Sequence, residues 1–242
     1  MDSYFARLPA VVDEGRRVVN NLQRTAALFV TKTIFAFFLT LVFTTALLIE
    51  RDPNVQYPFA TNHLYLWEIV TSGFAAFFLA LEKNSEKIEG RFLTNVFKKA
   101  IPAATLLITS VLLIFGFYLM QRHNVLNFGI YSKDTAIAMS VITFSVLGIV
   151  FLYRVCSPFT KYRKIVFICS AAVNAVVLIA TAIVSFALNL KEPEPVLKIP
   201  YYEMNGPAVI TMVIIIVLFA AIYLFVHQII AINKGEKEEN ED

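Results

Sequence analysis

Two cysteines, Cys156 and Cys169, are all that 242 residues contain. Such a pair beside apolar runs excludes a disulfide framework and predicts free, packed thiols. Charge is scarce too: Asp, Glu, Lys and Arg make up 16% of the chain, against about a quarter in an ordinary soluble domain. The first 24 residues lack the apolar core and small-residue cleavage site of a secretory signal, and carry Arg7, Asp13, Glu14, Arg16, Arg17 and Arg24 instead. Histidine occurs only at positions 63, 123 and 227, at expected interfaces or loops. No nucleophile–base pair can be assembled from these groups, which leaves an enzyme acting on lipid without support. A net charge of +3, with no internal repeat, gives no basis for nucleic-acid binding.

What is abundant is apolar sequence: 58% of the chain, at a mean hydropathy of +0.67. It comes in long blocks rather than at amphipathic spacing, the signature of membrane spans. Six segments are long enough to cross about 30 Å of hydrocarbon: 26–49, a second from 57 or 64 to 81, 101–120, 135–155, 165–188 and 207–232. Asp52-Pro53, Asn127-Phe128-Gly129, Pro193, Pro195 and Pro200 interrupt the connections between them. The basic residues set the direction. Fifteen fall on the side of the N-terminus (Arg7 to Arg24, Lys83 to Lys99, Arg154 to Lys164, Lys234 and Lys237), and five on the other (Arg51, Arg122, Lys133, Lys191 and Lys198). The expectation is an all-α integral membrane protein, a six-helix transmembrane bundle with both termini cytoplasmic. Residues 1–24 form a cytoplasmic stalk, 25–232 the membrane domain and 233–242 a disordered acidic tail. The stretch "NSEKIEGRFLTNVFKK" reads as a cytoplasmic loop with an interfacial helix.

Ionisable groups at membrane depth cost about 2.5–3.5 kcal/mol each even on the lenient insertion scale. Lys32 stands about 9 Å past Ala26 in an otherwise uncharged run, where its ammonium either snorkels to the headgroups or meets a partner. Glu68 lies about 6 Å deep if its span starts at Leu64, and about 16 Å if it starts at Tyr57, where Pro58 suits a first turn. At helical spacing Glu68 and Ser72 share a face with Thr71 beside them, and Gly73 comes next, tolerant of a local break. Oxygen groups gathered beside a weak helix point suit a hard cation, although such hydroxyls also bond to their own backbone. His227 reads as interfacial, Asn174 as an interhelical hydrogen-bonding group and Cys169 as packing.

Three stretches carry a resemblance. "LPAVVDEGRRVVNNLQRTAALFVTKT" resembles the junction of P-type cation-transporting ATPases where the phosphorylation domain enters the fifth membrane helix. "YPFATNHLYLWEIVTSGFAAFFLALEKN" is similar to the family's sixth helix, and "GRFLTNVFKKAIPAA" to the family's sequence just beyond that helix. The likeness is strongest to the bacterial E-type branch, in its "TKT" and "FFLALE.N" patterns, and is specific from Leu8 to Ala104. It implies that the six spans are the fifth to tenth of ten, and that residues 1–24 include the end of the phosphorylation domain. It also implies a role as the part of an ion pump that carries some of the cation pathway, calcium first or another hard divalent such as magnesium. The family's "DKTGT", "TGES" and "GDGxND" motifs are absent, so the chain holds no cofactor and hydrolyses no ATP alone. Mg-ATP is implied for the full-length pump. The implied partners are the missing N-terminal catalytic part, the lipid bilayer and the transported cation. Met1 falls where the family has mid-domain sequence, which suggests a fragment, an excised domain or a truncated frame.

The resemblance assigns Glu68, Thr71, Ser72 and Thr33 to ion binding, with Glu68 as metal ligand, and makes Lys32 a tethered cation facing Glu68. Departures are visible: Glu68 and Ser72 stand where many members have an amide and an aspartate, and Ala36 where calcium pumps place an acid. The alternative is a free-standing six-helix binding or accessory protein derived from such a domain.

Overall fold

The computed structural model describes residues 7–51, 57–84, 86–88 and 90–239. Met1, Asp52-Pro53 and the last three residues of the tail lie outside the described residues, as does the side chain of His227. Among the described residues the chain is all-helical, with six helices long and apolar enough to cross a membrane. They are α1 (Leu8–Glu50), α2 (Thr61–Ala80), α3 (Phe92–Arg122), α4 (Lys133–Cys156), α5 (Lys161–Ala187) and α6 (Gly206–Glu239). The protein is a multi-pass membrane protein.

Helix ends obey local chemistry. Ser132 and Thr160 cap α4 and α5 by accepting the amide protons of Thr135 and Arg163. α1 begins with proline in its first turn and ends where Arg51 turns left-handed and closes onto the Leu47 carbonyl. The expected stalk, from Leu8 on, and the first span therefore form one continuous helix. The expected interfacial helix is not separate either: α3 starts at Phe92 and runs through Pro102. α6 continues to Glu239 through part of the stretch expected to be disordered. Lysine and glutamate are good helix formers, and extending an existing helix needs no new nucleus.

α4 is the centre of the bundle. Of its most apolar stretch 72% is buried, against 22% for α5 and 17% for α6, whose outer faces are apolar and exposed. α1 packs along α3, α6 closes against α4 and α3, and α5 lies on α4 and α2. Aromatic rings join the layers. Phe144 of α4 stacks on Phe35 of α1 at 4.5 Å and on Trp67 of α2 at 4.9 Å, and Phe151 lies parallel to Trp67 at 6.3 Å. The indole fits because residue 148 is glycine: a Cβ there would sit 2.5 Å from the Trp67 ring. The thiols divide, Cys156 being buried and Cys169 exposed. Cys169 thus faces outward rather than packing inside, since a thiol is apolar enough for the lipid side of a span.

Substituting Gly148→Val should force the indole off α4 and lower stability by about 1–3 kcal/mol. Thermal unfolding in detergent reads this directly, and an unchanged melting temperature would show that Trp67 has room to move.

Candidate functional site

The second span is not a plain α-helix. After a 3₁₀ turn at Thr61–Leu64, Trp67–Ala75 is wound as π-helix, and Ala76–Ala80 returns to α. The span thus starts between the two expected points, three residues beyond Pro58, and Glu68 lies roughly 10 Å past Thr61. A π turn bonds residue i to i+5, which brings Gly73 under Glu68. A Cβ at Gly73 would lie 3.0 Å from the Glu68 carbonyl oxygen, so glycine permits the close approach.

Lys32, from the middle of α1, reaches across and forms an ion pair with Glu68 Oε1. The ammonium does not snorkel away. The pair is not sealed: the lysine side chain is 25% exposed and the glutamate 41%. Lys32 also lines an open groove of about 700 Å³ on the outer face of α1, with Thr33, Ala36, Phe37 and Thr40. Pairing relieves each charge of the cost of standing alone at that depth.

The remaining candidates are distributed around this pair rather than gathered on it. Thr33 is exposed in the groove and donates its hydroxyl to the Phe29 carbonyl, one turn back. Thr71 and Ser72 are buried on the inner side of the π segment, which packs against α4 and α5. The Ser72 hydroxyl is shut from solvent and has no hydrogen-bond partner. Among the described residues no three acidic, histidine or cysteine side chains are placed so as to hold a metal ion together. Asn174 spans α5 and α4 as expected, donating to the Ser145 carbonyl at 3.4 Å.

A second polar centre is one that the sequence did not disclose. Glu82, just past the end of α2, is 5% exposed and accepts from Arg24 of α1 at 2.9 Å, Arg163 of α5 at 2.7 Å and the Thr160 hydroxyl at 2.9 Å. Asn21 donates to the Ala80 and Glu82 carbonyls at 3.0 and 2.7 Å, meeting acceptors that the end of α2 leaves open. Tyr162 donates to the Phe78 carbonyl at 2.9 Å. Stalk, second span and fifth span are thereby tied at one point. Glu82 belongs to "FFLALEKN", but an acid at a span end reads as solvated; the available signal was its position opposite Arg24 and Arg163 on the same side of the membrane.

Relatives decide the family. The chain is 30% identical over 174 residues to a protein of Streptococcus pneumoniae named "Probable cation-transporting ATPase exp7", a match covering 70% of this chain and 21% of that one. It is 39% identical over 106 residues to "Calcium-transporting ATPase CtpE" of Mycobacterium tuberculosis, covering 42% of this chain and 13% of the relative. The namesake from Mycolicibacterium smegmatis is 36% identical over 107 residues, covering 43% and 13%. The chain is a membrane domain of the P-type cation-transporting ATPase family. It spans about a fifth or less of the length of these relatives. No protein-family model matches the chain, and no solved structure does. The relatives do not favour the free-standing alternative. As a P-type ATPase membrane domain, the chain holds its Lys32–Glu68 ion pair on the short second span and its carboxylate–arginine lock just past the end of it.

Removing the lock should be severe. Glu82→Ala leaves two buried guanidinium groups facing each other and is expected to lose about 3–5 kcal/mol, while Glu86→Ala, at an exposed carboxylate 3.7 Å from Arg24, should lose under about 1 kcal/mol. Equal melting temperatures for the two variants in detergent would show that Glu82 holds nothing together.

Proposed function

We propose that the chain supplies the fifth to tenth membrane helices of a P-type cation pump, and that Lys32 and Glu68 form part of its ion pathway. The observation that carries this is the ammonium–carboxylate pair set against a π-wound turn at membrane depth. Without a bound ion, Lys32 neutralises Glu68. An entering cation displaces the ammonium from the carboxylate, and when the ion leaves the ammonium returns. Glu68 is thus never a lone charge at membrane depth, and Lys32 takes the place of a counter-transported ion.

Calcium is the favoured cargo, and magnesium or another hard divalent the second choice. Two relatives are named calcium-transporting, and Glu68 offers the hard oxygen ligand such an ion takes. The unpartnered Ser72 hydroxyl lies one turn on; Thr71 and Thr33 complete the proposed set. Calcium takes about six to eight oxygens, so further ligands come from helices that this chain does not contribute. ATP hydrolysis, with Mg-ATP as the fuel, belongs to the pump's catalytic part, the chain's implied partner. Residues 1–24 act as the stalk that carries phosphorylation-driven movement into α1.

The test is calcium uptake into inverted vesicles by a complete pump containing this domain. Glu68→Gln should weaken apparent calcium affinity by at least about tenfold, the scale of one charge-assisted interaction. Lys32→Ala should slow turnover by leaving the emptied carboxylate unpaired. Unchanged affinity and turnover in Lys32→Ala would discard the tethered-cation role.

A further inference from the structure

Beside the Glu82 lock, a cleft of about 480 Å³ opens between the stalk, the connection before α3, the start of α3 and the turn at Ser157-Pro158. Arg24, Lys87 and Lys99 line it against a single acid, Glu86. Arg24 is already shared between Glu82 and Glu86, and Arg163 behind it is held by Glu82. Among the described residues four cations therefore meet two carboxylates, an excess of two positive charges. Neither Lys87 nor Lys99 forms an ion pair among the described residues. A second feature points to a ligand. Gln23 lines the same cleft at 8% exposure, and its amide nitrogen is shut from solvent with no acceptor. An unmet buried donor beside the cleft favours an acceptor oxygen there.

Depth narrows the ligand. Arg24 and Lys99 stand two residues, about 3 Å, before the apolar runs 26–49 and 101–120, on the side that the basic residues mark as cytoplasmic. That is the level of lipid phosphates, and a phosphate group carries the charge the cleft lacks. We propose that this cleft binds the phosphate of an acidic phospholipid headgroup from the cytoplasmic leaflet. The site is independent of the ion pathway, and it can be tested on this chain whether or not the pump assignment holds.

The intact chain, reconstituted in phosphatidylcholine nanodiscs, is titrated with phosphatidic acid, and retained lipid is read by native mass spectrometry. The expectation is one phosphatidic acid held in preference to phosphatidylcholine. Lys99→Gln should weaken its retention by more than the roughly fivefold that any single cation near an anionic surface contributes. Lys98→Gln is the matched control, because Lys98 is exposed and faces a different hollow on α3; it should stay within that fivefold. Lys87→Gln, on the exposed connection, provides a second variant should Lys99→Gln fail to fold, and should weaken retention likewise. Equal losses for the Lys98 and cleft variants would overturn the site in favour of diffuse surface attraction. Displacement of the lipid by inorganic phosphate at equal concentration would overturn the lipid assignment, and absence of any preference would overturn both.

Discussion

The Glu82 carboxylate, buried between the guanidinium groups of Arg24 and Arg163, is the contact on which the geometry of the bundle depends. Apolar side chains make the spans insert, but hydrocarbon on both sides of an interface gives little preference for one rotation of a helix over another. A carboxylate with two fixed donors does give one. Arg24 sets the rotation of the stalk, Arg163 fixes the start of α5, and Thr160 both caps α5 and donates to Glu82. Buried ion groups of this kind are weak as net stabilisers and strong as specifiers of register. Here the register decides whether Lys32, about two turns further along α1, points at α2 or at lipid.

Six spans were legible because span length derives directly from bilayer thickness. The pairing of Lys32 with Glu68 came from the resemblance together with the depth of both charges, because depth alone left the ammonium free to snorkel. The π turn was not legible. Its hydrogen-bond register leaves no trace in hydropathy, and Gly73 announced only that something irregular was permitted. Along the π segment the Glu68 side chain stays partly open while Thr71 and Ser72 are buried. Glu82 was hidden because an acid at the end of a span is ordinarily wet. Only the return of two distant arginines to the same spot makes it a buried centre.

Polar groups on the second span therefore fall into two tiers. The upper tier, Glu68 with Lys32, is partly open and stands beside a groove, where a charge can exchange partners. The lower tier, at Glu82, is closed and tied to α1 and α5, where partners are fixed. Between them run only Ile69 to Leu81, so the adjustable and the rigid centre are neighbours on one short piece of chain.

That piece contains the wide turn, and its geometry has a mechanical meaning. A π turn encloses one residue more than an α turn of the same span. Tightening Trp67–Ala75 into ordinary α winding would swivel everything before it about the helix axis, while the end anchored through Ala80 and Glu82 stays put. The carboxylate would swing like the hand of a clock whose spindle is clamped below. A single residue of slack thus decides where around the axis of the second span the carboxylate stands.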